Sequence, residues 1–150
     1  MTVSFVQTPE RVAVIGAGMV GLATAWFLQE RGVRVQYNDI SNADSLVHAG
    51  IADAEIVISS VPDSLLKGTT NEKLVRHVRM VNPTTKIIAT AEEFAETQML
   101  YAAGADYVTI ARIDQANELI DVVTAAEAGR LDELRAKLDA QLRDRQEILP

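Results

Sequence analysis

The sequence predicts a doubly wound α/β sandwich, three layers deep, around a five-stranded parallel sheet. Three observations carry that reading. Short apolar runs rich in β-branched residues alternate with longer stretches of helical period. The first run passes into the first helical stretch through a turn spaced with glycines. The chain has 150 residues, 48% hydrophobic and 23% charged, which is the size and balance of one compact domain spanning residues 1–150.

Taken in order, the strand candidates are Val12–Ile15, Val33–Asn38, Glu55–Ser59, Lys86–Thr90 and Tyr107–Ile110. Each is short and nearly continuous in hydrophobicity, the pattern of strands covered on both faces. Helices are expected over 18–31, 43–49, 70–81, 93–103, 114–128 and 131–147. Strand–helix alternation implies right-handed crossovers and parallel pairing. Thr69-Thr70-Asn71-Glu72 has the spacing of a capping box, Asn82-Pro83 stops the helix it opens, and Gly104 and Gly129 fall where helices end on glycine. Residues 1–10 carry no clear assignment.

Composition removes whole classes of chemistry. The chain has no cysteine, so disulfides, thiolate metal sites and cysteine nucleophiles are excluded. Two histidines, His48 and His77, are too few for a histidine zinc centre. The net charge is −7, concentrated in residues 37–129, which disfavours nucleic acid and anionic membranes as partners. No apolar run is long enough to span a bilayer and no charged-then-apolar leader opens the sequence, so a soluble, cytoplasmic chain is expected. No nucleophile–base pair and no paired carboxylates at acid/base spacing stand out, which predicts a protein that is not an enzyme.

Gly16-Ala17-Gly18-Met19-Val20-Gly21 is the one motif with a specific chemistry. Gly16 permits a tight turn, Gly18 lets a pyrophosphate reach the backbone, and Gly21 lets the helix lie against the strand. The N–H groups at the helix start then face the phosphate charge. The alternative is a tight strand–helix turn that keeps its glycines without a ligand. Asp39 ends the next strand, where an acid would hold the ribose hydroxyls; as a turn or cap aspartate it would be equally at home. No arginine follows it closely, which favours NAD(H) or AMP over a ligand with a 2′-phosphate. The glycine loop faces Ser59, Ser60 and Val61 across the switch point, and Ser59, Ser60 and Asp63 could touch an adenosine moiety there. Helix capping by Ser60 or Asp63, and by Thr90 after the fourth strand, is the plainer reading.

Two family resemblances arise from these stretches. Residues 11–36, from Arg11-Val12-Ala13-Val14-Ile15 through the glycine loop to Gln36, resemble the FAD-binding start of the D-amino-acid oxidase/dehydrogenase family. Residues 37–150 resemble the nucleotide-binding RCK (TrkA-N) regulatory domains of cation:proton antiporters and potassium channels. The segments that carry this second likeness are Asp39-Ile40-Ser41-Asn42, Ala54–Thr69 and Tyr101–Val108. It implies a small nucleotide ligand, NAD(H) or AMP before FAD, and a homodimer through the C-terminal helices, where Leu131, Leu134, Leu138 and Leu142 form a stripe. One helix–strand unit expected of an RCK domain is missing between the second strand and Asp39. The juxtaposition of two likenesses implies a composite, engineered chain, and a chimeric scaffold without a ligand is the rival to a regulatory module. Losing that unit converts the Rossmann order 3-2-1-4-5-6 into 2-1-3-4-5, the flavodoxin-like order.

Overall fold

The computed structural model of the chain describes residues 9–16, 18–38 and 50–143. Its elements are β1 (Arg11–Ile15), α1 (Met19–Glu30), β2 (Arg34–Asn38), β3 (Ile56–Ser59), α2 (Asn71–Val81), β4 (Lys86–Thr90), α3 (Phe94–Ala103), β5 (Tyr107–Thr109), α4 (Ala111–Glu127) and α5 (Leu131–Leu142). Single 3-10 turns at Ile51–Asp53 and Asp63–Leu65 precede β3 and follow it. The helix expected over 43–49 lies outside the described residues, as do Ala17 and Asp39.

All five strands pair in parallel in the order β2-β1-β3-β4-β5, the order that follows from loss of one unit. β1 is central to the topology: Val14 pairs with Tyr37 on one side and with Ile58 on the other. Successive residues of a strand point to opposite faces, and the core divides accordingly. Ala13, Ile15, Val57, Ile87 and Ala89 face α2 and α3 and pack with Leu74, Val75, Val78 and Leu100. Val12 and Val14 face α1 and pack with Ala25 and Leu28. The two sides are unequal. Leu74, Val75 and Val78 are all at most 2% exposed, whereas Ile56 and Ile58 on the α1 side are half-buried.

The chain forms two compact units, Met1–Ala111 and Arg112–Pro150. The second consists of α4 and α5, joined by a turn in which Gly129 N–H donates to Ala126 and Arg130 N–H to Ala125. Ala125 is its single buried position among the described residues. α4 starts three residues earlier than its apolar pattern suggests. No helix among the described residues is long and apolar enough to cross a membrane.

Three local expectations are corrected by the backbone. The N-cap of α2 is Thr70, not Thr69; its Oγ1 accepts from Lys73 N–H, and Glu72 falls one position short of where a capping box from Thr70 would need it. The α3 N-terminus is not capped by Thr90. Glu93 and Glu96 form a capping box there, and Thr90 Oγ1 instead lies 3.3 Å from Thr109 Oγ1 across the β4–β5 pair. His77 reads as a surface position because it lies on a predicted helix without a serine or acid at triad-like spacing. It is instead half-buried, with its Nε2 buried and without a hydrogen-bond partner among the described residues.

The N-terminal ends of β4 and β5 are held by Arg79 at the end of α2. Its guanidinium donates to the carbonyls of Pro83, Thr85 and Gly104 and to the Asp106 carboxylate, at 2.6–2.9 Å. Asp106 also accepts from Ile87 N–H at 2.8 Å and lies near Lys86. Burial raises the Asp106 pKa, but the Ile87 N–H, Arg79 and Lys86 outweigh it and hold the carboxyl below its ordinary value of 3.8. A depressed folded-state pKa means stability that is fully present above the ordinary value and lost as the pH falls through the folded one. Asp106→Asn is therefore expected to cost about 1 kcal/mol near neutral pH, a figure kept small by the solvent-exposed part of the carboxyl. In urea titrations that gap should close progressively below pH 3.8. A gap constant down to the acid limit would show that the charge plays no part.

Candidate functional site

The C-terminal ends of β1 and β3 meet at the point where the chain reverses direction across the sheet, and the glycine loop sits there. Gly16 leaves β1 with φ +120°, a conformation other residues rarely adopt. A Cβ at Gly16 would overlap Val61 Cγ2 and lie 2.9 Å from Ser60 Oγ. Gly21, in the first turn of α1, is equally tight: a Cβ there would overlap Gly16 O and lie 2.5 Å from Ser60 Oγ. Ser60 closes the contact by donating its N–H (3.0 Å) and its hydroxyl (3.2 Å) to Ile15 O. Gly16, Gly21, Ser60 and Val61 are thus brought together as the sequence suggests.

Gly18 differs from both. It is the N-cap of α1 with φ −76° and ψ 168°, dihedrals open to any residue, and a Cβ there meets nothing within 4 Å. Neither conformation nor packing among the described residues requires glycine at this position. α1 begins on it without a side-chain cap and without an acid in its first turn, and the first intrahelical bond runs from Leu22 N–H to Gly18 O. Val20, one residue past Met19, is 63% exposed. The opening above Gly18 and the N-terminal turn of α1 would accept an anionic group that approaches the backbone closely. These residues fit the phosphates of a nucleotide.

Ser59 is placed differently from Ser60. It is 3% exposed, and its hydroxyl donates to Asn71 Oδ1 at 2.6 Å. Asn71 is itself 2% exposed; its amide donates to Val61 O (2.7 Å) and Thr90 O (3.3 Å), and its backbone N–H donates to Asp63 at 2.7 Å. Asp63 therefore caps α2 from the preceding turn, in line with the capping reading. Sequence reasoning missed Asn71. The signal available was a polar residue at the first position of a helix whose Leu74, Val75 and Val78 face the sheet, which turns its side chain inward as well. No group of three or more histidine and carboxylate side chains among the described residues could hold a metal ion.

The family model of the TrkA-N domain matches residues 23–111. Among solved structures, the chain is similar to one described as the GsuK channel bound to NAD, with 29% identity, TM-score 0.64, and coverage of 83% of this chain and 25% of that one. It is similar at 28% identity and TM-score 0.63 to GsuK bound to ADP, covering 75% of this chain and 33% of that one. A third structure, the TrkA-N domain of the inner membrane protein ybaL from Escherichia coli, shares the fold at 22% identity and TM-score 0.56, covering 76% of this chain and 96% of that one. No curated protein matches. This chain spans a quarter to a third of the GsuK chains it resembles.

The three loop glycines make a discriminating set. Gly16→Ala and Gly21→Ala should each lower stability by about 1–3 kcal/mol through overlap, with added backbone strain at Gly16. Gly18→Ala should stay within about 0.5 kcal/mol of the parent. Thermal unfolding of the three variants checks the ranking; equal losses at all three would remove the distinction.

Proposed function

The chain belongs to the TrkA-N domain family, and from that premise we propose that it is a non-catalytic regulatory module that binds an adenine nucleotide at the Gly16–Gly21 loop. The observation that carries the reading is Gly18: its glycine has no use among the described residues and an evident one for a phosphate at the start of α1. The ligand is NAD(H) or AMP in preference to FAD, in keeping with GsuK structures described as bound to NAD and to ADP. The binding set is Gly16, Ala17, Gly18, Met19, Val20 and Gly21, with Ser60 and Val61 forming the wall across the crevice and Asp39, by its position in the sequence, as the acid for the ribose hydroxyls. Ser59 belongs to that wall only from behind, through Asn71. The module works in the cytoplasm.

Gly18→Val should abolish binding while leaving the fold intact, because the side chain would fill the space where phosphate meets backbone. Calorimetric titration of parent and variant with NADH, AMP and FAD measures it. Unchanged affinity in the variant would place the ligand elsewhere.

The rival reading is a composite chain whose flavoprotein-like start, residues 11–36, is joined to a TrkA-N remainder, residues 37–150; the family match begins at residue 23, inside that start, and marks no such join. In that reading the chain is a scaffold without a ligand, and the same titrations would give no heat.

The module pairs with a second copy through its C-terminal helices. Leu131, Leu134, Leu138 and Leu142 recur at helical spacing on α5 and are between 37% and 54% exposed, which supports a seam. Leu138→Lys combined with Leu142→Lys should convert a dimer into a folded monomer, read by light scattering together with circular dichroism. A parent chain that is monomeric at high micromolar concentration would rule the seam out.

A further inference from the structure

Between the N-terminal ends of α2 and α3 lies a cavity of about 170 Å³ lined by Asp63, Glu72, Glu96, Thr70 and Thr90 among others. Glu72 is paired with Arg76 at 2.9 Å. The remaining carboxylates of these loops are held by donors that carry no full charge. Asp63 accepts from Asn71 N–H at 2.7 Å. Glu92 accepts from both the N–H (3.1 Å) and the hydroxyl (2.9 Å) of Ser64, which clasps the loop after β4 to the loop after β3. Glu96 accepts from Glu92 N–H (2.8 Å) and Glu93 N–H (3.3 Å). Among the described residues no lysine or arginine bonds Asp63, Glu92 or Glu96. Neutral donors fix the position of a charge without cancelling it.

Asp63 stands close to the glycine loop along the chain, and Glu92 is tied to the next residue, Ser64. Gly16 backs onto Val61, and Asp63 is two residues further on, no more than about 8 Å along the chain at 3.8 Å per Cα step. A ligand whose phosphate rests at Gly18 and which continues past β3 toward β4 must run beside them. We propose that Asp63 and Glu92 act as a charge filter on the ligand of the glycine loop. They admit a nucleotide whose part beyond the first phosphates is neutral or cationic, such as an oxidised nicotinamide dinucleotide or a nucleoside monophosphate. They turn away one that continues into further phosphate. The carboxylates are not a binding site in themselves, and the proposal rests on the nucleotide reading of the loop.

Two like charges about 10 Å apart at a protein surface repel enough to change affinity roughly two- to fivefold, and the effect is screened over about 10 Å at 0.1 M salt. The test is a titration of AMP, NAD+ and ATP into the parent, Glu92→Gln, and the double variant Asp63→Asn/Glu92→Gln. The amides keep the oxygen acceptors, and circular dichroism verifies the fold of each variant. The filter predicts that ATP affinity rises stepwise, by about tenfold in the double variant at low salt. AMP should stay within about twofold, and the ATP gain should shrink at about 0.5 M salt. AMP binding with an unchanged ATP-to-AMP ratio in the double variant overturns the filter alone. No binding of any of the three to parent or variants removes the ligand reading of the loop and the filter with it.

Discussion

The carboxamide of Asn71 is the interaction on which the working edge of this fold depends. Buried among apolar side chains, it must satisfy both its oxygen and its amide, and it does so with Ser59, Val61 and Thr90. Those three residues end β3, begin the loop after it and end β4. One side chain thus sets the relative height of two strands and the path of the loop between them. Gly16 and Gly21 in turn lean on Ser60 and Val61 of that loop. Removing the amide would leave several buried polar groups unsatisfied, at about 1–3 kcal/mol each, and would loosen the wall against which the glycine turn is built.

A second buried asparagine does comparable work at the other end of α2. Asn82 donates to the carbonyls of Ile51, Ala52 and Ala54, and its oxygen accepts from the N–H groups of Thr84 and Thr85. With Arg79 it ties the exit of α2 to the turns that precede β3, β4 and β5. The helix is therefore anchored polar at both tips and apolar along Leu74, Val75 and Val78 between them. This explains why the α2 face of the sheet is the better sealed of the two.

The strands were legible in the sequence because most are short, nearly continuous apolar runs, and the strand order followed once a unit was counted as missing. The glycine loop was legible because its spacing has a steric reason at Gly16 and Gly21 that the structure bears out. Polar side chains were harder to read. Ser59 looks like a ligand contact, since hydroxyls after a strand face a crevice, yet the inward turn of Asn71 claims it. Asn71 itself reads as part of a cap. Glu93 is an unusual N-cap, so Thr90 drew that role by type alone. In each case a pattern gives the residue's position on the chain but not the partner that arrives from elsewhere in it.

The unlike status of the three loop glycines also bears on how such a sequence drifts. Gly16 and Gly21 are kept by the fold, whatever the chain binds, because a methyl group at either place collides with the chain itself. Gly18 is kept by nothing among the described residues. In a lineage that stops using its ligand, selection on this position lapses at once while the other two persist. Substitution at that single site then dates the loss of function in descendants whose fold is unchanged.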